Sequence, residues 1–239
     1  ELIIVPDGPL WYLPFEILPV LEADSPMLGE QIKIRYVPTP ALALQPVDSS
    51  PTDNTVGIAT GKFFAPRDID LNQQIADSIV NVLNDPLRLP DANNTPTAFL
   101  GNEIGHLAIA ATQTPNTSNF LLTPMAPYEQ RLPLGNLGAW LRFPAKVPAS
   151  VTLAGFRTPV GVGRMGDGSE IFHTITALNV AGVRNVLLSR WAVSINVIGK
   201  SLVVPCCIVI AQFVTHRSIR HDSVISCAAL PAGLTGRNL

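Results

Sequence analysis

The side chains best suited to nucleophilic chemistry lie near the end of the chain. Cys206, Cys207 and Cys227 are its three cysteines, and His106 stands far from them in sequence. A cysteine attacks a carbonyl as the thiolate, and a neighbouring imidazole is the usual base that forms it. His106 is therefore a weak candidate for a catalytic base, and a histidine in the core or at a strand end is the simpler interpretation. The cysteines are interpreted as small buried apolar side chains.

The spacing of these residues does not indicate metal or disulfide chemistry. Structural zinc sites use pairs of Cys or His about two to four residues apart. The adjacent Cys206 and Cys207, and His216 with His221, do not have this spacing. An odd number of cysteines does not form a disulfide framework either. The sequence thus predicts no metal and no cofactor, and it favours a cytoplasmic protein.

A glycine-rich segment, GVGRMG at 161–166, matches the G-x-G-x-x-G pattern of dinucleotide-binding loops. It begins well past Phe156, at the end of a long loop, and no acidic residue stands near the end of the following strand. Asp167 and Glu170 come next, near the start of a predicted helix, where carboxylates stabilise the positive end of the helix dipole. We interpret them as dipole partners rather than as an acid–base pair. A nucleotide-binding domain is kept as an alternative.

Apolar runs define the strands that must position these side chains. Near-continuous apolar stretches predict strands at 2–5, 55–60, 104–111, 150–156 and 185–191. The alternation of apolar and basic residues at 32–37 predicts a half-buried strand. A short edge strand is also expected at 120–122. Four of the predicted strands are expected to share one sheet, namely 2–5, 104–111, 150–156 and 185–189.

Helical spacing of apolar residues predicts helices between these strands, at 69–83, 132–141 and 170–181. Asp167 or Ser169 is suited to cap the last helix, and Gly182 is suited to end it. Strands that alternate with helices predict an α/β fold, in which a mostly parallel sheet is covered on both faces.

The overall composition narrows the class of partner. Hydrophobic residues make up 47% of the chain and charged residues only 14%, with a net charge of −2. Globular domains carry about 25% charged residues, so the low value predicts large buried surfaces or an interface. The few basic residues are scattered, which argues against nucleic acid and against a membrane surface. The four apolar residues at 2–5 are too few for a signal peptide or a membrane span, and we interpret them as the first strand of a fragment of a longer protein.

Three segments in order resemble the CHAT domain family, bacterial caspase-like domains usually found downstream of tetratricopeptide repeats. LIIVPDGPLWYLPFEIL at 2–18 resembles the family's opening strand and hairpin, with its Pro-Asp-Gly and Leu-Pro-Phe-Glu motifs. KIRYVPT at 33–39 is similar to the next strand, and AGVRNVLLSRWAV at 181–193 is similar to the Ala-Gly-Ala-x-x-Val-x-x-Ser-x-Trp-x-Val strand. The resemblance implies a caspase-like three-layer sandwich with a mostly parallel central sheet over residues 1–193.

The same resemblance locates the positions at which active family members, which are cysteine peptidases, carry their catalytic residues. Their His-x-x-x-His-Gly pattern falls on HLAIAA, so Ala110 stands where the catalytic histidine is expected. Their Leu-Ser-Ala-Cys-x-Thr pattern falls on LAGFRT, so Phe156 stands where the cysteine is expected. A methyl group cannot take a proton, and a phenyl ring cannot attack a carbonyl. The sequence thus predicts a non-catalytic pseudoprotease; an active endopeptidase with a relocated nucleophile is the alternative.

The remaining predictions concern partners and the end of the chain. Arg157 and Arg190 follow strands that resemble the rim of the family's active site, where they are suited to bind an acidic group of a peptide or to form a structural ion pair. The expected partner is a protein or peptide, with tetratricopeptide repeats upstream in the same chain. Residues 194–239 contain Asp222 as their one acidic residue and depart from the family. We interpret them as an atypical tail that contributes little to stability.

Overall fold

A computed structural model describes most of the first 188 residues of the chain. The described residues are 1–20, 26–44, 55–60, 77, 86–89, 99–101, 103–116, 118–125, 134–144, 146–156 and 166–188. The predicted helix at 69–83 falls outside this part except for Asp77, which is helical, and so does the tail at 194–239.

The central sheet has five strands in the described part of the chain, in the order β4-β3-β5-β6-β7. They are β3 (Val56–Thr60), β4 (Leu87–Arg88), β5 (His106–Gln113), β6 (Ser150–Phe156) and β7 (Asn185–Leu188). Every pairing between them is parallel. The predicted α/β class with a mostly parallel central sheet is confirmed.

The first strand lies outside this sheet. Strand β1 (Leu2–Ile4) pairs in parallel with β2 (Ile34–Tyr36), and the two form a separate two-stranded sheet. Lys33 and Arg35 both contact the carboxylate of Glu1, with N–O distances of 3.8 and 3.4 Å. The prediction that 2–5 shares a sheet with the other strands is therefore wrong. An apolar run indicates a strand, but it does not determine which other strand pairs with it.

In the described residues that follow β1, short turns stand where the sequence motifs imply a hairpin directly after the strand. Two 3₁₀ turns, Gly8–Tyr12 and Phe15–Ile17, precede helix α1 (Leu28–Gln31). Proline at position 9 suits the first turn of a helix because it lacks the N–H that would be unpaired there. Helix α2 (Pro40–Ala43) follows β2.

Two further helices pack beside the central sheet. In α3 (Leu137–Arg142), the Asn136 side chain caps the helix by accepting a hydrogen bond from the backbone N–H of Ala139 at 2.9 Å. Helix α4 (Ser169–Ala181) ends at Gly182, whose φ of 110° confirms the predicted stop. The edge strand predicted at 120–122 is wrong. Those residues form a 3₁₀ turn because the Asn119 side chain accepts a hydrogen bond from Leu121 N–H.

The two faces of the central sheet differ in the size of their side chains. Alternate residues of β5, β6 and β7 enter the main core cluster together with α4. Those residues are Leu107, Ile109, Val151, Leu153, Val186 and Leu188, with Ile171, Ile175 and Leu178 of α4. The opposite face carries the small buried side chains of Ala108, Ala110 and Thr152, together with Ile58, which is opposite Ala108. Burying one large aliphatic side chain contributes about 1.5 to 3 kcal/mol, so the side chains packed between α4 and the sheet are a major source of stability.

Candidate functional site

The carboxyl edge of the sheet is where parallel α/β folds place their ligands. Strands β5 and β6 end there at Gln113 and Phe156, which are register partners. Both side chains are buried, with 1% and 2% of their surface exposed. Phe156 belongs to the main hydrophobic cluster of the fold. The position that the sequence assigns to a cysteine is thus filled by a ring that packs inward.

A β-bulge separates Ala110 from the level of Phe156. The register passes from Ile109 opposite Leu153 to Thr112 opposite Gly155, so β5 has one residue more than β6 over this stretch. Ala110 therefore lies two to three residues before the strand ends, about 7 to 10 Å along the strand direction. The two assigned positions do not lie side by side, and the residue opposite Phe156 is Gln113.

Gly155 allows the two strands to approach at this bulge. A Cβ at position 155 would overlap the carbonyl oxygen of Ala111 and crowd the N–H of Thr112. Only glycine lacks the Cβ, so the residue before Phe156 is fixed by backbone contact rather than by its side chain.

The side chain of Gln113 was not singled out by the sequence, which placed the end of the strand earlier. Its Nε2 donates a hydrogen bond to the carbonyl oxygen of Met125 at 2.6 Å. Its Oε1 is buried and has no hydrogen-bond partner within the described residues. Leaving such an acceptor unpaired costs about 1 to 3 kcal/mol, so Gln113 is an unusual residue to bury at this edge. Its amide can take neither the role of a thiol nor that of an imidazole.

His106 lies at the opposite end of β5. Its register partner is Ser150, six residues before Phe156, which places it about 20 Å from the carboxyl edge along the strands. A hydrogen bond of 3.1 Å joins its Nε2 to the Thr152 hydroxyl, and burial lowers the pKa of the imidazole. The other described histidine, His173, stacks on Phe120 with ring centroids 4.7 Å apart.

Several predicted site residues lie outside the described part of the chain. These are Arg157, Arg190, Cys206, Cys207 and Cys227. Of the glycine-rich segment at 161–166, only Gly166 is described. The structure therefore brings Phe156 to the carboxyl edge and places His106 away from it.

The family model of the CHAT domain matches residues 1–202. The chain belongs to the CHAT domain family. The caspase-like fold implied by the sequence motifs agrees with this match and with the parallel central sheet. A comparison of the sequence with curated proteins gave no match.

The opening motif of this CHAT domain packs against the start of α4. Gly8 and Gly168 both have positive φ, at 52° and 79°, and a Cβ on Gly168 would overlap the carbonyl oxygen of Gly8. The hydroxyl of Tyr12 donates a hydrogen bond to the carboxylate of Glu170, and both side chains are buried. The Pro-Asp-Gly turn and the aromatic residues after it therefore join the chain start to α4.

Asp167 and Glu170, the two carboxylates predicted near the start of this helix, both have hydrogen-bond partners there. The Asp167 carboxylate accepts hydrogen bonds from the backbone N–H and the hydroxyl of Ser169, at 3.0 and 2.7 Å. The Ser169 hydrogen bonds lower the pKa of Asp167. Asp167 thus accepts a hydrogen bond from the first backbone N–H of the helix, while Glu170 accepts one from the Tyr12 hydroxyl.

The CHAT domain has a cavity of about 380 Å³ at this junction. It lies beyond the carboxyl ends of β1 and β2 and beside the start of α4. Its described walls are Val5, Pro6, Asp7, Gly8, Trp11, Pro38, Asp167, Gly168, Ser169 and Phe172. Because these residues come from three distant segments, no sequence pattern could have brought them together.

The described residues contain neither a candidate membrane-spanning helix nor a candidate metal site. No helix in that part of the CHAT domain is long and apolar enough to cross a membrane. The same residues contain no group of three or more His, Cys, Asp or Glu side chains that could hold a metal ion.

Proposed function

We propose that this CHAT domain binds an extended segment of a protein or peptide and does not hydrolyse it. The observation that carries the proposal is the burial of Phe156 at the carboxyl end of β6, beside the amide side chain of Gln113. We place the domain in a bacterial cytoplasmic protein that also contains tetratricopeptide repeats.

Cysteine peptidases require a thiolate and a base within about 3 Å of it. Among the described residues, the end of β6 provides a phenyl ring, and Ala110 is separated from it by the bulge. Removing the nucleophile or the base lowers turnover by about 10⁶-fold in a well-studied serine peptidase. Loss of both groups leaves only background hydrolysis.

Binding does not require either catalytic group. An extended peptide is held mainly by main-chain hydrogen bonds to the open edge of a strand. In the described part of the chain, β1 and β2 each have one strand neighbour, so each has an edge at which a further strand can pair. Arg157 and Arg190 are proposed to contact an acidic group of the bound segment.

The test combines hydrolysis with binding. The protein is incubated with fluorogenic peptides that carry Arg or Asp before the reporter, with and without a thiol alkylator. Fluorescence anisotropy of labelled, uncleavable peptides is measured in parallel. We expect binding without turnover. Turnover that the alkylator abolishes would show a relocated cysteine nucleophile, and a variant with Ser at positions 206, 207 and 227 would then lose that turnover.

A further inference from the structure

The cavity between the Pro-Asp-Gly turn and α4 has the size and walls of a small binding pocket. Its volume of about 380 Å³ falls within the roughly 300 to 1,000 Å³ of ligand pockets. Pro6 and Pro38 form rigid apolar walls, and Phe172 adds an aromatic wall. Such walls suit the methylene stem of a long side chain whose charged end stays near water.

Carboxylates complete the described rim of the cavity. Asp7 and Asp167 both line it and are both exposed, and the described lining residues include no lysine or arginine. The Asp7 side chain makes no capping bond at the following turn. Ser169 uses only Oδ1 of Asp167, and these hydrogen bonds lower the pKa of the Asp167 carboxyl.

The start of α4 does not reverse this charge preference. A helix N-terminus favours anions because its first N–H groups are unpaired. Asp167 already accepts a hydrogen bond from Ser169 N–H, so a negative group of the chain itself occupies that position. The remaining carboxylate oxygens favour a cation.

We propose that this cavity binds the side chain of an arginine or lysine in the extended peptide. The charged end lies between the carboxylates of Asp7 and Asp167, and the stem lies along Pro6, Pro38 and Phe172. This inference rests on the proposed peptide-binding function and names the residue type that the peptide must contain.

Charge-removing variants test the proposal. Asp7→Asn and Asp167→Asn are made singly and together, because asparagine also suits a turn before glycine and a helix cap. Glu103→Gln, which removes an exposed charge outside the cavity lining, is the matched control. Circular dichroism with thermal unfolding confirms that each variant is folded.

The probes are labelled peptides that differ only in one central residue, Arg, Lys or Gln, measured by fluorescence anisotropy. We expect the Arg and Lys peptides to bind about tenfold more tightly than the Gln peptide in low salt, the combined effect of two exposed charge pairs. The preference should shrink at about 0.5 M salt, vanish in the double variant and persist in Glu103→Gln. Equal affinity for the three peptides would overturn the proposed pocket and leave peptide binding intact.

A second probe separates failure of the pocket from failure of peptide binding. N-acetyl-arginine methylamide is titrated while the Trp11 indole and Gly168 amide resonances are followed by NMR, with the glutamine analogue as control. Shifts for the arginine compound, lost in the double variant, support the pocket even if no longer peptide binds. If none of the peptides binds, absence of shifts for the arginine compound would overturn the proposed pocket.

Discussion

The two ends of strands β5 and β6 use their side chains in opposite ways. At the amino end, polar groups pair with one another: His106 with Thr152 at 3.1 Å, and the Asn185 amide with the Ser150 hydroxyl at 3.0 Å. At the carboxyl end, where parallel sheets present their ligands, a phenyl ring belongs to the core. A reactive residue type is therefore informative only together with the edge of the sheet on which it lies.

The largest expected effect comes from the carboxyl end. Truncation by Phe156→Ala should lower the free energy of unfolding by about 3 to 5 kcal/mol, because it leaves a cavity in the core. Phe156→Leu should cost clearly less. Denaturant unfolding of the three proteins measures the series. A loss below about 1 kcal/mol for Phe156→Ala would mean that the ring does not support the core.

The same position tests whether a thiol alone restores activity. Phe156→Cys should remain without peptidase activity, because its register partner is Gln113 and no imidazole is described at this edge. Burst kinetics with fluorogenic peptides detect even one turnover per molecule. Hydrolysis by this variant would show that a base lies within reach of position 156.

The bulge gives the next largest effect. Gly155→Ala should lower the free energy of unfolding by about 3 kcal/mol, since the added Cβ meets the Ala111 carbonyl and the strands must shift. Gly101→Ala is the control: its φ is 79°, but its Cβ would meet nothing within 4 Å, so only backbone strain of about 1 kcal/mol remains. Equal losses in the two variants would contradict the backbone contact at the bulge.

The contact between the chain start and α4 should have a smaller effect. Tyr12→Phe leaves the buried Glu170 carboxylate without its described donor, at a cost of about 1 to 3 kcal/mol. Tyr36 is also buried, so Tyr36→Phe is the control that removes a hydroxyl elsewhere in the core. A Tyr12→Phe protein as stable as the original would show that this hydrogen bond adds nothing.

The amino end should show the smallest effect, as a dependence on pH. Burial lowers the pKa of His106, so below its ordinary value of about 6.5 the unfolded chain binds a proton that the folded chain does not. The free energy of unfolding therefore falls as pH decreases through that value. His106→Asn should remove this component, which is seen by comparing denaturation midpoints at about pH 7.5 and about pH 5.5. Thr152→Val retains the imidazole and should keep the dependence; an unchanged slope in His106→Asn would contradict it.

The sequence predicted the strands of the central sheet best where long apolar runs are buried on both faces. Strand β6 and the stop of α4 at Gly182 followed directly from such local signals. The partner of β1 did not, because pairing is decided by residues far away in sequence. The bulge at Ala110 was not predicted, because a run of small residues carries no periodicity that marks an inserted position.

Only part of the candidate site could be predicted from the sequence. Phe156 could be assigned because a motif surrounds it, whereas Gln113 lies two residues past the end of the strand predicted at 104–111. The cavity could not be predicted, since Pro6, Pro38 and Phe172 meet only after three segments have folded together.

The pairing of Tyr12 with Glu170 has a consequence for how the chain is made. The two residues are 158 positions apart, and the contact between Gly8 and Gly168 joins the same two segments. At about 5 to 20 residues per second, synthesis delays this contact by roughly 10 to 30 s. During that time Trp11 and Tyr12, buried in the finished domain, lack the helix against which they pack. The first segment can therefore reach its final packing only after α4 has left the ribosome.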